Sequence, residues 1–143
     1  MNNSKQLYQQ DYNLWLEKMA IAIKEKSFDA MDWNNLLEEI EDMGASQKRA
    51  LRSFTKRLIE HILKLKYWQG EVERNKRHWE AEVVNFREEI KQILQDSPSL
   101  KNYLRENYSQ WYKSSLKSKK REFTIPTDDV IELNLVLDDD YFG

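Results

Sequence analysis

The sequence predicts an all-α protein: a single-domain helical bundle of about five helices with a short C-terminal appendage. Three observations carry that expectation. Apolar residues return every third or fourth place through most of the 143 residues, the period of helices with one buried face. Only three glycines and two prolines occur, too few for the turns of a β-sandwich or barrel. The stretches between apolar stripes are short, as links between bundle helices are. One domain is expected over residues 1–143, with the bundle over about 5–116, a basic connection over 113–123 and an acidic appendage over 124–143.

The first helix is expected over about 5–26, from the spacing of Tyr8, Tyr12, Trp15, Leu16, Met19, Ala22 and Ile23. Ser27-Phe28-Asp29 breaks it. Asp32 suits the N-cap of a second helix, whose stripe is Trp33, Leu36, Leu37, Ile40 and Met43. Gly44 follows that stripe, where a left-handed cap would end the helix. Glu39 and Glu41 flank the stripe on opposite sides, at the rim of the expected core. Ser46 suits the cap of a third helix with the seam Leu51, Phe54, Leu58, Ile62 and Leu65. Ile59 and Leu63 add a second strip, so this helix is expected to be central, with His61 at the seam's edge.

Trp79, Val83, Phe86, Ile90 and Ile93 recur at four, three, four and three, close to a heptad, and define a fourth helix. Ser97-Pro98 marks the start of a fifth, aromatic-rich helix carrying Leu100, Tyr103, Leu104, Tyr108, Trp111 and Tyr112 to about residue 116. Residues 114–121 read as a mobile connection, and 128–137 fit a short helix or a strand. Tyr141-Phe142 reads as an apolar tag that docks back on the bundle.

Composition excludes several classes. The chain has no cysteine, hence no disulfide scaffold, thiolate zinc site, Fe–S centre or cysteine nucleophile. Its 23 basic and 25 acidic residues give a net charge of −2, against the basic excess of a duplex-DNA binder. The polar start Met1–Gln6 lacks the apolar stretch of a signal peptide. No run approaches the roughly 18 apolar residues of a spanning helix. A cytoplasmic chain without membrane contact is the expectation. Charge is segregated, however: residues 29–42 and 128–140 are acidic, and 48–66 and 113–121 are basic.

Glu39, Glu41 and His61 are ligand types suited to zinc, iron or manganese. The chain lacks the Glu-x-x-His pairs of di-iron bundles and holds only two histidines, so neither metal nor cofactor is expected. There is no nucleophile elbow and no Gly-rich phosphate loop, so no catalytic residue is assigned. Segment 66–79 interleaves cations with Tyr67, Trp68 and Trp79, a pattern for phosphates and stacked bases. Five tryptophans, seven tyrosines and five phenylalanines exceed what one core hides easily, and aromatics favour interfaces.

The run Asp32-Trp33-Asn34-Asn35-Leu36-Leu37-Glu38-Glu39-Ile40-Glu41-Asp42-Met43-Gly44 resembles the hallmark of a bacterial, largely cyanobacterial family known as domain of unknown function 29. So do residues 61–68, Asn75-Lys76-Arg77-His78-Trp79-Glu80, Phe86-Arg87, Asp96-Ser97-Pro98-Ser99-Leu100 and the closing Leu137-Asp138-Asp139-Asp140-Tyr141-Phe142. The resemblance spans nearly the whole chain in order; Gly143 stands where the family pattern has proline. It implies an all-helical bundle and a bacterial source, with no reaction attached. It also points to Glu39, Glu41, His61, Arg74, Trp79 and Arg87 as a polar cluster. Antiparallel second and third helices would set Glu39 or Glu41 against Arg57, His61 or Lys64, as a structural lock or a site.

The preferred reading is a small non-catalytic interaction or regulatory module with a protein partner or a second copy of itself. The alternatives are an enzyme or nuclease-like protein using Glu39, Glu41 and His61, and a nucleic-acid-binding module using the basic third helix and residues 74–79.

Overall fold

The computed structural model describes residues 3–143, and among these no strand occurs. The helices are α1 (Asn3–Gln10), α2 (Tyr12–Lys24), α3 (Trp33–Tyr67), α4 (Val72–Asp96), α5 (Leu100–Lys119) and the single turn α6 (Leu133–Val136). A 3₁₀ turn, Phe28–Ala30, precedes α3. The chain is therefore all-α. Five helices have eight residues or more, the expected number, but several boundaries differ from the expected ones. By its contacts the chain divides into two compact units, residues up to Ser46 and Gln47–Gly143, and α3 contributes to both. No described helix is long and apolar enough to cross a membrane.

In the first unit the helix expected over 5–26 is interrupted. Asp11 is extended (φ −150°, ψ 90°) and its carboxylate accepts the Leu14 N–H at 3.0 Å. An aspartate that satisfies a first-turn amide starts a new helix at little cost. Lys26 ends α2 in the left-handed region at φ 56°, a place glycine usually takes. The core is Trp15, Met19, Ala22 and Met31, with Leu7, Tyr8 and Leu36 against it. Asp32 is wholly buried beside them. Its Oδ2 accepts Trp15 Nε1–H at 3.1 Å and Asn35 Nδ2–H at 2.7 Å, and its Oδ1 lies 3.5 Å from the Asn35 amide at the start of α3. The expected N-cap residue thus also satisfies the buried indole.

The second difference is larger. The helices expected on either side of Gly44 and Ser46 are one helix of 35 residues. Gly44 keeps right-handed helical geometry and ends nothing. A glycine inside a helix costs about 1 kcal/mol. That is too little to break a helix with well-patterned residues on both sides and no proline nearby.

In the second unit α3, α4 and α5 bury Leu51, Leu58, Ile62, Val83, Phe86, Ile90, Leu104, Trp111 and Tyr112, among others. Helix α4 begins at Val72, two turns before its apolar seam, where Asn75 Nδ2 donates to the Glu71 carbonyl at 2.9 Å. Helix α5 runs to Lys119, so most of the connection expected over 114–121 is helical. Ser115, Leu116 and Lys119 are buried there, and Lys119 is paired with Glu122. The appendage forms the one-turn α6 instead of a strand, and Tyr141 and Phe142 lie partly buried on the core. Tyr108 Oη donates to the Ile131 carbonyl at 2.6 Å, tying the extended stretch before α6 to α5.

Candidate functional site

The six residues of the expected polar cluster do not come together. Glu39, Glu41 and His61 share one helix, with Glu39 and His61 about six turns apart, so no antiparallel pair exists to oppose them. Glu41 is exposed. Arg74 is spent on the Glu71 carboxylate at 2.9 and 3.0 Å. Trp79 is buried, stacked on Trp68 with Lys64 Nζ 5.6 Å from its ring centre. Arg87 is buried and acts as the lock that was expected elsewhere. Its Nε donates to the Val136 carbonyl at 2.8 Å, its Nη2 to the Tyr141 carbonyl, and its guanidinium lies 5.3 Å from the Phe142 ring centre.

His61 is enclosed, its side chain 13% exposed. Nδ1 lies 2.9 Å from the Arg57 carbonyl and Nε2 2.7 Å from Glu82 Oε2, while the ring stands edge-on to Phe86. Burial lowers its pKa, helped by Lys64 and opposed by the Arg57 carbonyl and Glu82. His78 reaches the other Glu82 oxygen at 3.2 Å. Both ring nitrogens thus lie against oxygen atoms of the fold, which fix the orientation of the ring.

Glu39 has a different role. Tyr8 and Tyr12 each donate a hydroxyl hydrogen to one of its oxygens, both at 2.5 Å. These bonds, Tyr12's first, hold its pKa below the ordinary glutamate value. The same bonds are the largest cause raising Tyr12, and raising Tyr8 to about 12. The lowered carboxyl stabilises the folded unit fully above pH 4.5, and that contribution is lost as pH falls through the folded value. The raised phenols stabilise it fully below pH 10, and their contribution is lost as pH climbs through about 12 for Tyr8. Trp15 fluorescence is therefore expected to report a first unit that loosens at both ends of the pH scale. The Tyr8→Phe/Tyr12→Phe variant is expected to melt lower at neutral pH and to lose both of these pH dependences; an unchanged melting temperature and pH profile would refute the clamp.

The aromatic and basic segment does not form a stacking platform. Trp68 lies between Trp79 and Phe123, with centroid distances of 5.9 and 4.8 Å, so these faces are covered. Arg49 and Arg52, both exposed, line a shallow depression of about 230 Å³ on α3 together with Ser53 and Lys56. Lys56 Nζ donates from there to Ser114 Oγ at 3.1 Å.

The feature that stands out lies in the first unit. Trp33, Leu37, Ile40 and Met43, expected in the core, are 55–66% exposed. Trp33, Leu37, Ile40 and Gly44 are spaced four, three and four, so they form one line along α3. Phe28, also exposed, stacks on Trp33 at 6.4 Å and extends the line toward the 3₁₀ turn. Ten of the thirteen large apolar side chains exposed among the described residues belong to this unit. Glu41, exposed, flanks the line on one side, and Glu38 and Asp42, also exposed, lie farther round the helix, turned away from it.

A family model matches residues 7–142. The chain belongs to the family described as domain of unknown function DUF29. No curated protein and no solved structure matches it.

In this DUF29 chain the sequence pattern gave the stripe itself but not its exposure. Three short elements cannot cover every apolar residue that the first 46 positions carry, because a two-helix layer buries one face of each helix. That surplus was the available signal. The Arg87 lock had no local signal, since its partners are backbone carbonyls 49 and 54 residues away.

Proposed function

We propose that this protein is a non-catalytic interaction module whose docking face is the uncovered line Phe28, Trp33, Leu37, Ile40 and Met43. The observation that carries this reading is the exposure of those side chains along one helix face, when the second unit buries its equivalents. Monomeric proteins seldom leave contiguous apolar surface of this kind in water, and such patches mark places where another molecule binds. Apolar anchors three and four residues apart are the arrangement by which one helix docks into another surface.

The test is site-specific photocrosslinking in the source cell. A benzophenone residue at Leu37 or Ile40 is expected to capture a discrete partner, whereas the same group at exposed Val84 on α4 is not. Equal capture at all three sites, or none at any, would remove the reading.

A further inference from the structure

Besides the apolar line, the molecule carries a cationic depression on α3 and the triple of His61, Glu82 and His78. The cationic depression holds no aromatic platform, and in the triple His61 is held by the Arg57 carbonyl and Glu82. The line alone specifies its own complement.

We infer that the partner of this face is a basic amphipathic helix, a deepening that rests on the docking reading above. Two independent observations carry it. The first is Gly44, which continues the line of Trp33, Leu37 and Ile40 in the middle of a long helix. A Cβ built there meets nothing within 4 Å, and its backbone is ordinary helix, so the fold of this chain does not require glycine. Glycine in a helix is destabilising, and a bare backbone lets a second helix approach closely. The line from Trp33 to Gly44 is about 17 Å long, or three turns of such a partner.

The second observation is charge. Residues 1–46 hold nine acidic and four basic residues, and no lysine or arginine lies between Lys26 and Lys48. Glu41 flanks the stripe, where it meets a cation beside the apolar face of the partner, and Glu38 and Asp42, farther round the same helix, add to a field with no cation near it. A second copy docked line to line sets one acidic unit against another, nine acidic and four basic residues on each side. An anionic lipid surface repels such a unit, and helices that lie in membranes carry lysine and arginine beside their apolar face.

The experiment uses two labelled probe peptides of the same amphipathic pattern, one of leucine and lysine, the other of leucine and glutamate, titrated by fluorescence anisotropy against the full chain. The leucine–lysine peptide is expected to bind one to one, and the leucine–glutamate peptide is expected not to bind. Leu37→Asp/Ile40→Asp should weaken binding by about tenfold or more, although it adds negative charge. These positions are exposed, so an unchanged circular dichroism spectrum and melting temperature verify the fold. Gly44→Ala should raise the melting temperature and weaken binding in the same variant. Binding that persists or tightens in the aspartate variant means charge alone, and overturns both the inference and the docking face. Equal binding of the two peptides overturns the basic partner while keeping the docking face. So does a dimer, seen by sedimentation, that the aspartate variant dissolves. Failure of both peptides to bind overturns the inference, and the photocrosslinks at Leu37 and Ile40 then decide whether the docking face stands.

Discussion

Replacing Trp15 by alanine is expected to unfold the first unit and leave the second folded. Trp15 is wholly buried in a cluster with only Met19, Ala22 and Met31 as fully enclosed companions. Removing a buried tryptophan costs about 3–5 kcal/mol, and a core of this size has no other side chain large enough to fill the space. The variant also leaves Asp32, buried and without a cationic partner among the described residues, short of the indole hydrogen. The second unit has its own cluster, with sixteen buried residues among those described. Limited trypsin digestion should therefore cleave rapidly at Lys18, Lys24 and Lys26, while a fragment beginning beyond Ser46 persists. Trp15→Phe separates the two causes. It keeps most of the packing and removes only the donor, for an expected loss of about 1–3 kcal/mol. If Trp15→Ala resists trypsin at these lysines as the parent does, the small core does not hold the unit together.

The second large effect is expected at Arg87. Its guanidinium is buried among backbone carbonyls of the appendage, so it fastens residues 133–143 onto α4. Arg87→Met keeps an apolar stem and removes both bonds and the contact with Phe142. Breaking charge-assisted bonds to buried carbonyls costs about 3 kcal/mol. Arg87→Lys does not restore the loss, because one ammonium cannot span both carbonyls as the planar fork does. The exposed pair Lys91–Asp139, at 2.6 Å, also joins α4 to the appendage, but an exposed pair contributes about 0–1 kcal/mol, so Lys91→Ala changes little. Hydrogen exchange reads the outcome directly. Amides of 133–143 should exchange rapidly in Arg87→Met and stay protected in Lys91→Ala. A protected tail in Arg87→Met contradicts the lock.

Much of this architecture was legible in the spacing of apolar residues. The seams Leu51-Leu58-Ile62 and Val83-Phe86-Ile90 are buried as their periods require, and Tyr141 and Phe142 return to the core. What was not legible depended on weak or distant terms. Asp11 splits the first helix because one carboxylate bond competes with one turn of helix, a near-even contest that periodicity does not register. Gly44 and Ser46 resemble a helix end followed by a helix start, yet their cost is smaller than the gain from continuing α3. Once α3 is continuous, Glu39 and His61 part company. Glu39 goes to Tyr8 and Tyr12, and His61 to Glu82, a partner that no pattern in the chain announces. The stripe of Trp33, Leu37, Ile40 and Met43 has the same period as a buried seam. Period reports that a face is apolar; what covers it is decided by the number of helices available to do so.

That distinction is testable with the chain's own methionines. Met19 and Met31 are 3% and 6% exposed in the first core, and Met43 is 66% exposed beside the docking line. Under dilute hydrogen peroxide, peptide mass spectrometry should find Met43 oxidising at close to the rate of a free methionine, with Met19 and Met31 far slower. Saturating leucine–lysine peptide should slow Met43 alone. A Met43 as protected as Met19 in the isolated protein would mean that this face is already covered, and would contradict the account at its centre.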